Sequence, residues 1–239
     1  MKLSDNSINT NPILSDLEHI KDWLIKEDKE LNEGFYCNWN KIEKSFQNNK
    51  LITLQVNENT IGFIVWSSSS ICADIDILEI KPEYRKKGFG KIFFEQVSNY
   101  FLNEGYLVIK LFCSPKESEG FWKNMGFKKF PDLDYYTELT YYKTLIDVAQ
   151  VTEIDIENKL ELWNVEPHEK DKNLPKWRWE FNDKLIKPII QPCSFDWYLR
   201  WTKKDKVIKE GKVKHFNSEE NTIDFSPFMY FENLIEPKE

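Results

Sequence analysis

From Ile13 to Leu31 the apolar residues Ile13, Leu14, Leu17, Ile20, Trp23, Leu24 and Leu31 recur every three or four positions, the period of a helix with one buried face. Ser15 or Asp16 is placed to serve its start. A shorter helix is predicted over 40–48, closing in the polar run Gln47-Asn48-Asn49-Lys50; Trp39 and Phe46 there read as core residues. The period then drops to that of strands. Leu51–Val56 and Ile61–Trp66 are apolar, β-branched runs joined by Asn57-Glu58-Asn59-Thr60, a hairpin signal, and Ile71–Ile80 supplies a third strand. After a break at Pro82, helical spacing returns in Ile92, Phe93, Val97, Tyr100, Phe101 and Leu102, with Gly105 as the C-terminal cap. Tyr106–Cys113 is continuously apolar, as expected of a strand covered on both faces. It is expected to lie parallel to the strand at 71–80, making a right-handed β-α-β unit. A short helix over 117–125, ended by Gly126, precedes strand-like Phe127–Phe130 and Leu139–Leu145. The predicted class is α/β of the α+β kind, a mixed, mostly antiparallel central sheet flanked by helices.

Beyond Leu145 the signals are those of strands: Leu160–Val165, Trp177–Phe181, Phe195–Thr202, Val207–Lys209 and Val213–Phe216. Lys203–Lys206 and Glu210–Lys212 read as turns, so 195–216 is expected to be a small antiparallel meander. Five of the nine tryptophans, Trp163, Trp177, Trp179, Trp197 and Trp201, fall here. Alternation sets Trp177 with Trp179, and Trp197 with Leu199 and Trp201, on common faces, which predicts a small aromatic core. An aromatic face is also suited to a cationic amine or to a homodimer interface. The chain is therefore divided at 1–145 and 146–239, the second part being a Trp-rich, β-rich extension. Residues 166–176 are expected to form an exposed connecting loop.

The chemistry is concentrated between the third strand and the helix that follows it. Residues 77–90 read Ile-Leu-Glu-Ile-Lys-Pro-Glu-Tyr-Arg-Lys-Lys-Gly-Phe-Gly. Gly88 and Gly90 let the backbone approach a ligand closely, and the free N–H groups of the helix start favour phosphate. Arg85, Lys86, Lys87 and Lys91 crowd the same turn and are expected to add charge-assisted hydrogen bonds to a diphosphate. A third glycine, an acidic ribose partner and a Gly-Lys-Ser/Thr run are all lacking, which argues against a dinucleotide or nucleoside-triphosphate site.

Composition narrows the partners. Net charge is −7, and it is spread evenly: residues 1–145 hold 21 acidic and 18 basic side chains and 146–239 hold 19 and 15. Neither part looks like a nucleic-acid module. Cys37, Cys72, Cys113 and Cys193 lie far apart, with no paired spacing and no histidine nearby at ligand spacing, so no metal site is expected. No signal-peptide core and no run of about 18 apolar residues occurs, and a cytosolic protein without membrane contact is expected.

The element order, the run Ile80-x-Pro82-x-x-Arg85-x-x-Gly88-x-Gly90 and the stretch Gly120-Phe-Trp-Lys-Asn-Met-Gly-Phe127 resemble the GNAT family of acetyl-coenzyme A-dependent N-acetyltransferases over about residues 13–145. The resemblance implies the acyl-CoA N-acyltransferase fold, with acetyl-CoA as co-substrate and its pyrophosphate held by the turn at 85–91, Phe89 included. It also implies that the strand before the turn splays from its parallel neighbour, so that the pantetheine arm pairs with backbone around Leu78–Ile80. Ile80 is the candidate N–H donor to the thioester carbonyl, and Ser118, Phe121 and Trp122 of the later helix are further candidate coenzyme contacts.

Acetylation needs a neutral amine, so a base must take a proton before attack. Asp74 falls where some family members carry a catalytic glutamate. Asp76 lies one alternation along the same face, and Glu79 on the opposite face unless a bulge intervenes; an alternative role for these acids is to solvate a strand face or attract a cation. Where many relatives have a tyrosine that protonates the leaving thiolate, this chain has Trp122, whose indole N–H is no proton donor to sulfur. Ser114, Ser118, Tyr135, Tyr136 or water are the alternatives. The expected activity is acetyl transfer to a primary amine of a small molecule or a protein by direct attack in a ternary complex. The rival reading is a non-catalytic acetyl-CoA-binding or regulatory protein.

Overall fold

The computed structural model describes residues 6–131, 139–154, 156–182, 185–216 and 227–234. These fall into two compact units, one built from 6–128 with 139–145 and the other from 129–131 with the described residues from 146 onward.

The first unit holds β1 (Asn6–Asn9), β2 (Leu51–Val56), β3 (Asn59–Ser69), β4 (Cys72–Ile80), β5 (Val108–Phe112) and β7 (Thr140–Thr144), which with β6 (Lys128–Lys129), where the chain passes from one unit to the other, form a sheet in the order β1-β2-β3-β4-β5-β7-β6. β4 and β5 are parallel, while β1/β2, β2/β3, β3/β4 and β5/β7 are antiparallel. The β2/β3 turn places Asn57 at φ 49 and Glu58 at φ 65, a geometry that matches the twist of a two-residue hairpin. Polar Asn-Ser-Ile-Asn makes β1, an edge strand that periodicity did not predict because it offers one apolar residue.

Helices cover both faces. Leu17, Ile20 and Leu24 of α1 (Leu14–Leu31) and Ile42 of α2 (Trp39–Gln47) pack on Leu51, Phe63, Val65 and Ile77. On the other side Phe93, Phe94, Val97 and Phe101 of α3 (Phe89–Asn103) and Trp122 of α4 (Glu119–Asn124) pack on Ile52, Ile64, Ile75 and Ile109. Each such side chain contributes about 1.5–3 kcal/mol when fully buried. Asp16 serves the start of α1 from inside the first turn, its Oδ2 accepting the Ile13 N–H at 3.0 Å. α3 ends as expected: Gly105 at φ +89 donates to Leu102 and Tyr106 donates to Phe101, which satisfies the last carbonyls.

The second unit holds β8 (Lys159–Leu162), β9 (Trp177–Glu180), β10 (Ile189–Pro192), β11 (Tyr198–Lys203), β12 (Lys206–Lys212) and β13 (Phe228–Phe231). Four of these form a sheet in the order β12-β11-β8-β9, and β10 pairs with β13. Trp179, Trp197 and Trp201 lie in its core with Leu160, Leu199 and Phe231, and Trp177 stacks on Trp197 at 5.5 Å. Three expectations are corrected here. Val213–Phe216 is a 3-10 helix rather than a strand, since Val213 and Phe216, both buried, eclipse each other at a spacing of three. Residues 210–212 continue β12 instead of turning, and 167–172 of the expected loop form a 3-10 helix. Among the described residues no helix is long and apolar enough to cross a membrane, and no group of three or more His, Cys, Asp or Glu could hold a metal ion.

Candidate functional site

β4 is where the sheet opens. It pairs with β5 only from Cys72 to Ile75, opposite Val108 to Leu111, so its last five residues leave β5 behind. On its other edge the register against β3 shifts between Val65 and Trp66, which face Ile77 and Ile75. Asp76 is therefore the extra residue of a β-bulge, and side-chain alternation resets across it. Ala73, Ile75 and Ile80 lie in the α3-side core and Ile77 in the α1-side core. Asp74 and Glu79 consequently share the α1 and α2 face, the bulge moving Glu79 from the face that unbroken alternation assigns it.

The carboxylates are not equivalent. Asp74 pairs with Lys110 at 2.9 Å, yet burial holds its carboxyl above the usual range against the pull of that lysine. Lys110 in turn lies opposite Tyr142 on β7, whose hydroxyl burial also pushes up. Asp76 is more exposed and meets Lys41 of α2 at 2.7 Å. Glu79 is buried, and its Oε1 accepts both Arg85 at 2.7 Å and the Ile80 N–H at 3.1 Å. Burial pushes its carboxyl up, the nearby Glu27 charge adds to this, and Arg85 opposes both, leaving it at about 7.

Backbone direction identifies what faces the opening. Lys81 N–H bonds Ile61 O of β3 at 2.9 Å, so alternation turns the N–H and C=O of Leu78 and Ile80 away from β3. At Ile80 both groups are engaged: the N–H with Glu79, and the carbonyl with Arg85 Nε at 2.7 Å. The candidate donor Ile80 is thus occupied by its neighbour's carboxylate, which leaves Leu78 as the residue whose backbone faces the opening.

The turn after β4 forms a cradle. Lys86 has φ 58 and Gly88 φ 87, and no side chain caps the helix at Gly88. The first α-helical bond of α3 runs from Ile92 N–H to Gly88 O, so the amides of Phe89, Gly90 and Lys91 are the orphan donors of its first turn. Lys86, Lys87 and Lys91 are exposed around them. A Cβ on Gly90 would lie 3.5 Å from the Phe121 ring and 3.9 Å from Ile80, which brings α3, α4 and β4 together beneath the cradle.

Arg85 departs from its expected place. Instead of reaching the cradle, its guanidinium bonds Glu27 of α1 at 2.5 Å and Glu79 at 2.7 Å. Glu27 was missed in the sequence, although a signal existed: the stripe Ile20, Trp23, Leu24 and Leu31 runs through position 27, where a carboxylate stands on a buried face. Trp122 is also unlike a ligand contact, being buried edge-on against Phe94, Phe121 and Phe127. Ser118 Oγ donates to Pro115 O at 2.8 Å and lies 3.3 Å from the buried Cys113 Sγ. Ser114 is exposed, and Tyr135 and Tyr136 lie outside the described residues. Tyr141, not singled out in the sequence, donates to Glu119 at the start of α4.

Residues 24–138 match the model of the Acetyltransferase (GNAT) domain. No curated protein matches the chain in sequence. Among solved structures the chain is similar to the PaiA N-acetyltransferase from Thermoplasma acidophilum in complex with coenzyme A, at 22 % identity over 59 % of this chain and 99 % of that one, with a TM-score of 0.45. It is also similar to a GNAT-family protein from Desulfovibrio desulfuricans, at 10 % identity over 59 % and 100 % of the two chains, with a TM-score of 0.50. The mixed sheet with helices on both faces, its opening at β4 and the matched span together identify residues 24–138 as a GNAT acetyltransferase domain.

Proposed function

We propose that the protein transfers the acetyl group of acetyl-CoA to a primary amine, by direct attack within a ternary complex. The observation that carries this reading is the opening of β4 from β5 immediately before a helix start that no side chain caps. The amides of Phe89, Gly90 and Lys91 would take the pyrophosphate, with Lys86, Lys87 and Lys91 around it. Leu78 would pair with the amide-bearing pantetheine arm and present its N–H to the thioester oxygen. Phe121 backs the cradle, and Trp122 supports it from within the core rather than touching the coenzyme.

Asp74 is the preferred base. Burial raises its proton affinity, which suits a group that must accept a proton from an ammonium ion. Asp76, tied to Lys41, is the second candidate, whereas Glu79 is committed to Arg85 and the Ile80 amide. The nitrogen forms its bond to the acetyl carbon as the C–S bond breaks, and coenzyme A leaves as the thiolate or, with a proton from water, as the thiol. The acceptor is a small molecule or a protein amine. A non-catalytic acetyl-CoA-binding role is the second reading, favoured by one observation: Trp122 is buried where relatives supply an acid.

Free-thiol release from acetyl-CoA, measured against polyamines, aminoglycosides, amino acids and peptides, tests the proposal. Turnover on one class is expected, abolished by Gly88→Trp and slowed with an altered pH profile by Asp74→Asn. Tight coenzyme binding with no turnover on any acceptor would decide for the binding role.

A further inference from the structure

Lys110 is the one charged residue of the otherwise apolar run 106–113, and it stands on a strand with neighbours along both edges. Its flanking residues Ile109 and Leu111 lie in the α3-side core, so Lys110 turns to the α1 and α2 face. Its side chain is only 17 % exposed. A cation so placed needs a partner, and the register supplies one. Lys110 aligns with Asp74 on β4 and with Tyr142 on β7, and Tyr142 follows Tyr141 of the α3-side core, so it shares the face of Lys110. The three side chains form one row across the sheet, one residue before β4 leaves β5 at Ile75 and Leu111.

The groups that face Asp74 come from several elements. Lys110 Nζ of β5 meets Asp74 Oδ1 at 2.9 Å, and the Ser69 hydroxyl of β3 also bonds the carboxylate. Asp76 of the same strand opposes ionisation by repulsion, although Lys41 of α2 pairs with that charge at 2.7 Å. Tyr142 completes the row from β7. The Asp74 side chain is 22 % exposed, so solvent screens its pair with Lys110 less than it screens ions at the surface. A carboxyl this buried keeps its proton unless a cation opposes desolvation, and a carboxyl that holds its proton takes none from an ammonium ion. Burial alone would disarm the candidate base, and Lys110 is the chief group working against it.

We propose that Lys110 is a positioning residue for acetyl transfer: its ammonium group fixes the Asp74 carboxylate beside the opening between β4 and β5 and keeps it ionised, able to take the acceptor's proton. This deepens the reading of Asp74 as the base and rests on it. The proton passes from the acceptor nitrogen to Asp74, and Lys110 neither gives nor receives one.

Carboxyl titration by 13C NMR, on the full chain with labelled aspartate and without coenzyme or acceptor, tests the hold on Asp74. The Asp74 signal is assigned by its loss in Asp74→Asn. In Lys110→Met, Asp74 is expected to titrate at least about one pH unit higher than in the parent chain, the lower end of the effect of an opposite charge in contact. Lys110→Gln makes the same test with a polar neutral side chain, and Lys110→Arg, which keeps a cation, stays near the parent. Circular dichroism verifies that each variant is folded. Turnover supplies the second arm: the acidic limb of kcat/KM moves up with the Asp74 titration in both neutral variants and returns in Lys110→Arg. An Asp74 titration unmoved in the neutral variants, or moved as far in Lys110→Arg, would overturn the proposal. So would a moved titration with the acidic limb of turnover left in place. A moved titration with no turnover on any acceptor, in the parent chain as in the variants, defeats the transferase reading instead and leaves the hold of Lys110 on Asp74 standing.

Discussion

A guanidinium set between two buried carboxylates is costly to remove, because both carboxylates then lie in a poor solvent without a cation. Arg85→Met is accordingly expected to destabilise the fold by roughly 2–3 kcal/mol, below the range for a wholly buried pair since Arg85 is itself about one-third exposed. Urea unfolding measures this, and a change under about 0.5 kcal/mol would mean that the cluster is a surface ion pair of little consequence. Glu79 adds a pH dependence of definite sign. Its carboxyl is raised from 4.5 to about 7 by folding, so across that window the folded chain holds a proton that the unfolded chain has lost. Stability from this group is present at the acidic end and declines as pH rises through about 7. Glu79→Gln stays neutral throughout and flattens the decline. Melting temperatures of both proteins at about pH 5 and pH 8 provide the comparison, and equal slopes would reject this account of Glu79.

At the level of elements, the two glycines of the turn do different work. Gly88 sits at φ +87, and a Cβ added there would meet nothing within 4 Å, so Gly88→Ala meets only backbone strain, about 1–2 kcal/mol. Gly90 is helical, and its Cβ would meet Phe121 at an ordinary 3.5 Å. Gly90→Ala is therefore neutral or stabilising by up to about 1 kcal/mol, while both substitutions place a methyl group at the cradle and weaken coenzyme A binding. Thermal melts with coenzyme titrations separate these effects; a Gly90→Ala variant that unfolds early would show the packing there to be tighter than the distances indicate. This turn was legible in the sequence because glycine spacing, a proline break and helical periodicity are all local signals. The hairpin at 51–66, the helix from 89 and the parallel strand after it were legible for the same reason. The bulge at Asp76 was not, because it is defined by the partner strand, and the face of Glu79 depends on it. The partners of Arg85 were hidden on the same ground. Its charge suggested a phosphate, but the carboxylate that claims it is 58 residues away on α1. The pairing of β10 with β13 joins short runs far apart in the chain, a contact for which periodicity carries no information.

On the scale of the whole chain, each unit buries its own apolar set, with the helices and β2 to β5 supplying one and the tryptophan strands the other. The division is not a single cut at Leu145. Residues 129–131 group with the second unit although residues 139–145 return to the first, and the 5 % exposed Phe130 packs edge-on against Phe228 at 5.4 Å. A fragment ending at Leu145 would keep β7 but strip Phe130 of that partner, exposing a large aromatic ring. Phe130 belongs to the packing of the second unit, which the fragment lacks, and not to the cradle. Such a fragment is expected to bind coenzyme A with nearly the affinity of the full chain and to aggregate more readily, and Phe130→Ser in the fragment is expected to restore solubility by removing the exposed ring. In the full chain the same Phe130→Ser substitution has the opposite consequence, lowering the melting temperature. Light scattering and coenzyme titration on the four proteins decide the matter. Solubility unaffected by the serine in the fragment would show that Phe130 is not the exposed surface, and loss of coenzyme binding on truncation would show that the acetyltransferase domain depends on residues beyond 145.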